Sequence, residues 1–280
     1  MTLRKYQRDD LRWLLQRPCA MYAADIGTGK SLVALELFKR RRKRGEVQRC
    51  LIVATPRIIE HTWPDEIAKW CPEYTHATVH GAKWRQALDT DADFYLTTYD
   101  TFKKIAGELY DDINMVVFDE SHKMKGHSSQ RFKQVKPFLR SFEFRLAMTG
   151  SPMPNSLEDL WAQSYVLDHG ASLGAFITHF RRRYFTPHPA GFGWVPNENA
   201  QAEVFNELRG LVRRREATPE AGLPEVLHND IMVSLPPKVY AQYKQMEDDF
   251  LLALDSGTVA AANAGGASSK CRQIANGFVY

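Results

Sequence analysis

The chain has 280 residues, of which 44% are hydrophobic and 25% charged, with 37 lysines and arginines against 33 aspartates and glutamates. This composition excludes a collagen-like or mainly disordered chain, and no apolar run approaches the roughly 20 residues that span a bilayer. The charged first ten residues lack the apolar core of a signal peptide, so we expect a soluble protein of the cytoplasm or nucleoid. The four cysteines show no disulfide or metal-ligand spacing, which predicts reduced thiols.

Five short apolar runs in the first 165 residues predict β-strands, at residues 19–23, 50–54, 94–98, 115–118 and 144–148. They lack polar alternation, as strands buried on both faces do. Helical patterns at residues 31–44 and 64–70 lie between them, and a capping-box pattern predicts another helix beginning near Ser156. Alternating strands and helices predict an α/β fold with a doubly wound, mainly parallel sheet. Ligands bind such sheets beyond the carboxyl ends of the strands.

The composition changes after residue 165. Residues 186–199 are rich in proline, glycine and aromatic side chains, which predicts a hairpin or a loop. Residues 201–215 have a helical pattern, and residues 231–233 are a candidate for a short strand. Residues 255–269 are small and polar enough to be flexible, with an alanine-rich helix as the alternative.

The strongest local signal is the sequence ADIGTGKS, residues 24–31, which follows a predicted strand and opens a predicted helix. Glycines let backbone N–H groups turn toward an anion, and a helix N-terminus adds favourable partial charge. In such a loop Lys30 reaches the β- and γ-phosphates and the Ser31 hydroxyl holds Mg²⁺. The alternative is a glycine-rich turn that only starts a helix, since Ala24 stands where the general pattern has glycine.

A second signal is the predicted strand that ends in Asp119 and Glu120. At the end of a buried strand one carboxylate can hold Mg²⁺ while its neighbour orients or deprotonates the attacking water. We assign the first role to Asp119 and the second to Glu120. A lone Asp–Glu pair is more often solvated surface, but together with the phosphate loop it predicts hydrolysis of a nucleoside triphosphate.

With these motifs the chain resembles the superfamily two helicases, and within them the Swi/Snf-type ATPases. The motifs follow in the order of that family: the adenine-reading motif at residues 3–7, motif Ia and its extension at 51–56 and 63–70, motif Ib at 97–99, motif II in its DExH form at 119–125, and motif III at 148–152. Alanine at the first loop position is common in this superfamily. The resemblance implies a RecA-like P-loop fold with a helical and hairpin appendage.

The resemblance also implies ATP and Mg²⁺ as cofactors and gives roles to individual residues. ATP would be bound by Arg4, Gln7, Gly27, Thr28, Gly29, Lys30 and Ser31. The metal would be held by Ser31 and Asp119, and the catalytic groups would be Lys30, Asp119 and Glu120. The γ-phosphate site would be coupled to motif III by His122, Thr149 and Ser151. The track for the nucleic-acid backbone would be lined by Pro56, Arg57, Thr98 and Tyr99.

Basic and aromatic residues outside these motifs allow structural interpretations. The basic runs at residues 39–44, 181–183 and 213–215 are either solvated segments or patches that contact DNA phosphates, and we favour the solvated helix end for 39–44. Trp63 and Trp70 lie at helical spacing, which predicts core packing.

Three parts are predicted: a RecA-like ATP-binding lobe at residues 1–167, the appendage at 168–234, and an inter-lobe segment at 235–280, with residues 223–225 also resembling that connection. No motif IV, V or VI is recognisable, so we expect a fragment of a longer motor or a partner chain that supplies the second RecA-like lobe. The predicted function is the ATP-binding lobe of a DNA-dependent ATPase that translocates on duplex DNA. The alternatives are an ATP-gated nucleic-acid-binding module that needs a partner lobe for hydrolysis and, ranked lower, a P-loop nucleotide kinase.

Overall fold

The computed structural model describes residues 3–189, 191, 193–217, 229, 232–254, 257–260 and 264–277. The chain divides into two units, residues 1–224 and residues 225–280. None of the described helices is long and apolar enough to cross a membrane. The four cysteines are free thiols, as predicted.

The centre of the first unit is a seven-stranded sheet in which all neighbouring strands are parallel. In spatial order the strands are β3 (His76–Val79), β4 (Phe94–Thr98), β2 (Cys50–Ala54), β5 (Met115–Asp119), β6 (Phe144–Thr149), β1 (Cys19–Ala24) and β9 (Val212–Arg215). All five predicted strands are present, which confirms the doubly wound α/β fold. The sequence patterns did not predict β3 or β9.

Helices cover both faces of the sheet. On one face lie α1 (Lys5–Leu15), α2 (Lys30–Lys43) and α3 (Trp63–Trp70). On the other lie α4 (Trp84–Leu88), α5 (Tyr99–Ile105), α6 (Gln130–Val135) and α7 (Asp159–Asp168). Alternate residues of β5 enter different cores, Val116 and Phe118 on one face and Met115 and Val117 on the other. Because both faces are buried, these strands are apolar without alternation.

The segment after α7 contains the predicted hairpin. Helix α8 (Ile177–Tyr184) leads into the antiparallel pair β7 (Phe185–Pro187) and β8 (Trp194–Pro196). Helix α7 begins at Asp159, three residues after Ser156, and half of the predicted capping box is present, since the Asp159 carboxylate accepts the Ser156 N–H at 3.2 Å.

The predicted helix over residues 201–215 is wrong in its second half. Helix α9 (Ala200–Glu207) ends early, and β9 pairs with β1 at the edge of the sheet. Side chains alternate between the two faces along a strand, so Arg213 and Arg215 point to the same side. Both pair with the buried carboxylate of Asp10. This ion-paired tertiary contact overrides the local helical pattern.

The second unit has its own small core. The unit consists of α10 (Pro237–Asp249), the antiparallel strands β10 (Leu251–Leu254) and β11 (Gly257–Ala260), and α11 (Ala264–Ala275). Of the two alternatives for residues 255–269, the helix is therefore present from Ala264. The predicted strand at 231–233 is not: Met232 and Val233 are exposed and irregular, and residue 231 lies outside the described residues. Residues 223–225 of the predicted connection also lie outside them.

Candidate active site

The candidate site lies where three neighbouring strands end at the same edge of the sheet. The phosphate loop follows β1, and motif III begins in the last two residues of β6. The motif II carboxylates are Asp119, the last residue of β5, and Glu120, which follows it. The register aligns these ends, with Ala23 opposite Thr149 and Asp119 opposite Met148. Motifs that are far apart in the sequence therefore meet where parallel sheets bind their ligands.

The phosphate loop is a tight turn that encloses the Lys30 amine. Gly27 and Gly29 have φ angles of 81° and 82°, which glycine adopts without strain. The Thr28 hydroxyl donates to the Asp25 carbonyl at 2.7 Å. The Lys30 Nζ donates to the carbonyls of Ala24 at 2.7 Å and Asp25 at 3.2 Å. Lys30 thus has two neutral partners and no ion pair among the described residues.

The electrostatic surroundings of Lys30 link the loop to motif II. Burial lowers the pKa of Lys30 from its ordinary value, and the carboxylates of Glu120, Asp119 and Asp25 oppose that shift. The predicted phosphate-binding cation therefore lies within the electrostatic field of both predicted catalytic carboxylates.

The predicted adenine-reading residues contact the phosphate loop directly. The buried Gln7 side chain of α1 donates from Nε2 to the Thr28 carbonyl at 3.0 Å and accepts the Arg4 N–H at 2.9 Å. Tyr6 donates its hydroxyl to the same Thr28 carbonyl at 3.0 Å. A side chain at Gly29 would place its Cβ 2.5 Å from the Gln7 Nε2. A cleft of about 480 Å³ is lined by Arg4, Tyr6, Gln7, Gly27 and Gly29 together with residues of α2 and α3.

Asp119 is a buried carboxylate at the end of β5. Its Oδ1 accepts the Glu120 N–H at 3.0 Å, and its Oδ2 accepts the indole N–H of Trp63 at 3.1 Å. Burial, with the neighbouring Glu120 charge, raises the pKa of Asp119 to about 6 although both hydrogen bonds oppose the shift. Trp63 packs in the core as predicted, but sequence spacing gave no sign of its contact with Asp119.

Glu120 and His122 connect the carboxylates to motif III. Glu120 has a φ angle of 53°, a left-handed conformation that costs a non-glycine residue about 1 kcal/mol and is concentrated at functional sites. The His122 Nδ1 lies 3.2 Å from the Glu120 Oε2 and 3.3 Å from the Thr149 Oγ1. Thr149 also accepts the Ser151 N–H at 3.1 Å. Burial lowers the pKa of His122, so a neutral imidazole makes this link at neutral pH.

The donor set of this edge fits Mg²⁺ held together with a nucleotide. Within the described residues, no cluster of three or more His, Cys, Asp or Glu side chains could hold a metal alone. Mg²⁺ in nucleotide sites takes one or two protein oxygens and completes its shell with phosphates and water. Asp119 supplies a carboxylate oxygen, and the Ser31 hydroxyl has no hydrogen-bond partner in the described part of the chain.

The predicted nucleic-acid residues fall into an exposed pair and a buried pair. Pro56 and Arg57 follow β2 and are exposed, and Arg57 has no acidic partner among the described residues. Thr98 is the last residue of the neighbouring β4 and Tyr99 follows it, and each is 2% exposed. The Thr98 hydroxyl caps α5, and the Tyr99 hydroxyl donates to the Asp119 carbonyl at 2.8 Å. The side chains of this second pair are therefore structural here, and their contact with nucleic acid stays a prediction.

Most side chains of the basic runs form ion pairs. In the run at residues 39–44, acidic partners at 4.0 Å or less are found for Lys39, Arg40, Arg41, Arg42 and Arg44. These pairs argue against a DNA-binding patch, but the predicted solvated helix end holds only in part, because Arg41 is 4% exposed and donates to the Leu14 and Arg17 carbonyls. Arg181 and Arg183 pair with Glu158 and Glu207.

Arg214 is a neighbour of the site that the sequence analysis missed. Its guanidinium pairs with the Asp25 carboxylate of the phosphate loop at 2.9 Å and donates to the Gly150 carbonyl of motif III at 3.2 Å. The predicted helix over this segment concealed the contact, because a helix would not place this residue on the sheet edge.

Known proteins resemble this chain in sequence. Residues 6–277 match the family profile of the SNF2-related domain. Protein p41 of Acyrthosiphon pisum secondary endosymbiont phage 1 is 28% identical over all of this chain and 64% of its own length. The ATP-dependent helicase fft1 of Schizosaccharomyces pombe is 29% identical over 89% of this chain and 27% of its own length. This chain thus spans less than two thirds of either relative.

Solved structures share the fold. The Sulfolobus solfataricus SWI2/SNF2 ATPase core domain has a TM-score of 0.66 and 25% identity, over 89% of this chain and 51% of its own. The same core in complex with dsDNA has a TM-score of 0.67 and 24% identity, over 89% of this chain and 53% of its own.

Proposed function

This chain belongs to the SNF2-related domain family, and from that premise we propose that it is the ATP-binding lobe of a DNA-dependent ATPase that translocates on duplex DNA. The observation that carries the proposal is that Lys30, in the loop after β1, interacts electrostatically with Asp119 and Glu120, at the end of β5, across the single intervening strand β6. A half-buried ammonium with neutral partners and two nearby carboxylates suits a polyanion that arrives with its own cation.

The residues of the loop would bind the phosphates of ATP. Lys30 would exchange its carbonyl partners for the β- and γ-phosphate oxygens, which are stronger acceptors because they are charged. Gly27, Thr28 and Gly29 would donate backbone N–H groups at the start of α2. Arg4 and Gln7 would hold the base in the adjoining cleft.

The metal would be held by Ser31 and Asp119. When bound there, Mg²⁺ would neutralise charge that develops on the phosphate oxygens. Glu120 would accept the proton of the attacking water at a side-chain oxygen. His122 would transmit changes at Glu120 to Thr149 and Ser151 in motif III.

Nucleic acid would bind along the segments that follow β2 and β4. Arg57 is exposed beside Pro56 and has no acidic partner among the described residues, which suits a phosphate. Phosphate contacts carry no sequence information, so binding should be sequence-independent and weakened by salt. The relatives named helicases, and the solved core that was bound to dsDNA, support DNA as the partner. Thr98 and Tyr99 would contribute through their backbone.

Hydrolysis at full rate would need a second RecA-like lobe. An arginine finger accelerates phosphoryl transfer by roughly 10³ to 10⁵. We propose that such arginines come from a second lobe in a longer chain or in a partner. In this arrangement residues 1–167 are the body of the ATP-binding lobe, 168–234 its appendage, which also supplies the edge strand β9 of the lobe's sheet, and 235–280 the connection.

Calorimetry of ATP binding tests the nucleotide assignment. Lys30→Ala should weaken ATP binding at least about 100-fold, because it removes the only cation inside the loop among the described residues. Lys43→Ala, at the exposed end of the same helix, should leave the affinity unchanged. Equal affinities of Lys30→Ala and the wild type would exclude the phosphate-loop assignment.

Phosphate release by the 280-residue chain tests the finer statement. It should be slow alone and should rise with duplex DNA when a second lobe is supplied, and Glu120→Gln should abolish it. Stimulation by RNA and not by duplex DNA would overturn the assignment of the substrate. A phosphorylated small acceptor in place of free phosphate would indicate a kinase.

A further inference from the structure

The indole of Trp63 makes a contact that core packing alone does not require. The residue is 1% exposed, and a buried N–H needs an acceptor. Its acceptor is the Oδ2 of Asp119, at 3.1 Å, across 56 residues of sequence. The indole of Trp161, which is similarly buried, instead donates to the Gly174 carbonyl at 3.0 Å.

The backbone before Trp63 has an unusual geometry that directs this side chain. A π-helical turn at Ile58–Thr62 separates the end of motif Ia from α3, whose first residue is Trp63. One extra residue in a turn rotates the following helix by about 100°, and such turns are concentrated at functional sites. Because β2 and β5 are neighbours, the segment that follows β2 passes beside Asp119.

The two hydrogen bonds to Asp119 fix the plane of its carboxylate. Trp63 holds Oδ2 and the Glu120 N–H holds Oδ1, so each oxygen keeps a lone pair for another partner. Asp119 is 8% exposed, so little water is available to orient it instead. Partners of this kind orient metal ligands and tune their affinity.

We propose that Trp63 is a positioning residue that holds Asp119 in the orientation that binds Mg²⁺ and joins this ligand to the segment that carries Arg57. The inference rests on the proposed function, since it takes Asp119 as a metal ligand. A change in the motif Ia segment would then reach the metal through one rigid indole.

The affinity of the protein–ADP complex for Mn²⁺, measured by electron paramagnetic resonance, tests this role. Mn²⁺ serves as the probe for Mg²⁺. Trp63→Phe keeps a ring in the core and removes the N–H donor, and it should weaken Mn²⁺ binding about tenfold. The matched control Trp161→Phe also removes a buried indole donor and should leave Mn²⁺ binding unchanged.

A double-mutant cycle separates positioning from packing. If Trp63 acts through Asp119, Trp63→Phe should have no effect on Mn²⁺ affinity in an Asp119→Asn background. An equal loss in both backgrounds, or no loss in either, would overturn the inference. If Asp119→Asn itself does not weaken Mn²⁺ binding, the metal assignment in the proposed function fails as well.

A measurement on the wild type covers the case in which Trp63→Phe does not fold. Single Phe variants of the other five tryptophans assign their indole N–H signals in ¹H–¹⁵N spectra and leave that of Trp63. Adding Mg²⁺ to the ADP complex should shift this signal, whereas the Trp161 signal should stay in place. An unmoved Trp63 signal, with Mg²⁺ bound, would overturn the inference.

Discussion

Two buried aspartates of the first unit, Asp10 and Asp119, have different hydrogen-bond donors and opposite pKa shifts. Asp10 of α1 is fully buried and is bonded by Arg213, Arg215 and Tyr22. Burial opposes its ionisation, but the hydrogen bonds from Arg215 and Arg213 lower its pKa below the ordinary value. Asp119 has an indole and a backbone N–H as donors and no arginine partner among the described residues, and its pKa is raised to about 6.

The difference separates a structural charge from a functional one. At Asp10 the chain supplies the cations itself, and the result is an ion cluster that fixes the edge strand β9 on α1. At Asp119 the chain buries a carboxylate that has Lys30 nearby but no ion pair among the described residues, at a cost in stability. Such a charge suits an external cation, and this agrees with the proposed binding of Mg²⁺ with ATP.

The largest expected effect comes from breaking the compensated cluster. Asp10→Ala should lower the free energy of unfolding by about 3 kcal/mol, because it leaves two partly buried arginines without their partner. Urea unfolding measures the change. The neighbouring Asp9→Ala removes only an exposed pair with Arg12 and should leave stability nearly unchanged. Equal effects of the two substitutions would mean that the cluster contributes little.

Removing the charge of Asp119 should change how stability depends on pH. The folded pKa of Asp119, about 6, lies above the ordinary 3.8, so the folded state binds the proton more tightly and loses stability as pH rises from about 4 to 6. Asp119→Asn should remove this loss, about 2 kcal/mol between pH 4 and pH 7.5. The comparison is made across pH because the Asn amide can accept only one of the two hydrogen bonds that Asp119 accepts, which costs stability at every pH. Urea unfolding measures both curves, and the same loss in the two proteins would contradict the comparison.

Acidic pH should weaken metal binding at the proposed site. Below about pH 6 Asp119 carries a proton, so the gain in ADP affinity from Mg²⁺ should fall about tenfold between pH 7 and pH 5. ADP titrates in the same range, and the Asp119→Asn variant corrects for it because the variant retains only the nucleotide's own pH dependence. Parallel pH profiles for the two proteins would show that Asp119 does not bind the metal.

The smallest effect is expected from the third arginine of β9. Arg214 points to the other side of the strand from Arg213 and Arg215, and its side chain is 44% exposed where it pairs with Asp25. Arg214→Gln should lower the free energy of unfolding by about 0.5 kcal/mol, as exposed ion pairs do. A loss as large as that of Asp10→Ala would show that exposure does not separate the two kinds of pair.

The predictable part of this site is the part that local sequence encodes. The glycines before Lys30 and the apolar run before Asp119 each indicate where a strand ends. The parallel sheet then places these two strand ends at the same edge. Strand β9 escaped prediction because three successive arginines have no apolar pattern, and their ion pairs with Asp10 and Asp25 join residues far apart in the sequence. The contact of Trp63 with Asp119 spans 56 residues and follows a π-helical turn, and residue spacing reveals neither.

Calorimetry of ADP binding, with and without Mg²⁺, tests most directly whether the Asp119 carboxylate binds the metal. ADP avoids turnover during the titration. For the wild type we predict that Mg²⁺ raises the affinity at least about tenfold, and for Asp119→Asn that the metal adds almost nothing. An equal gain from Mg²⁺ in both proteins would contradict the account, because the metal would then be held without the buried carboxylate.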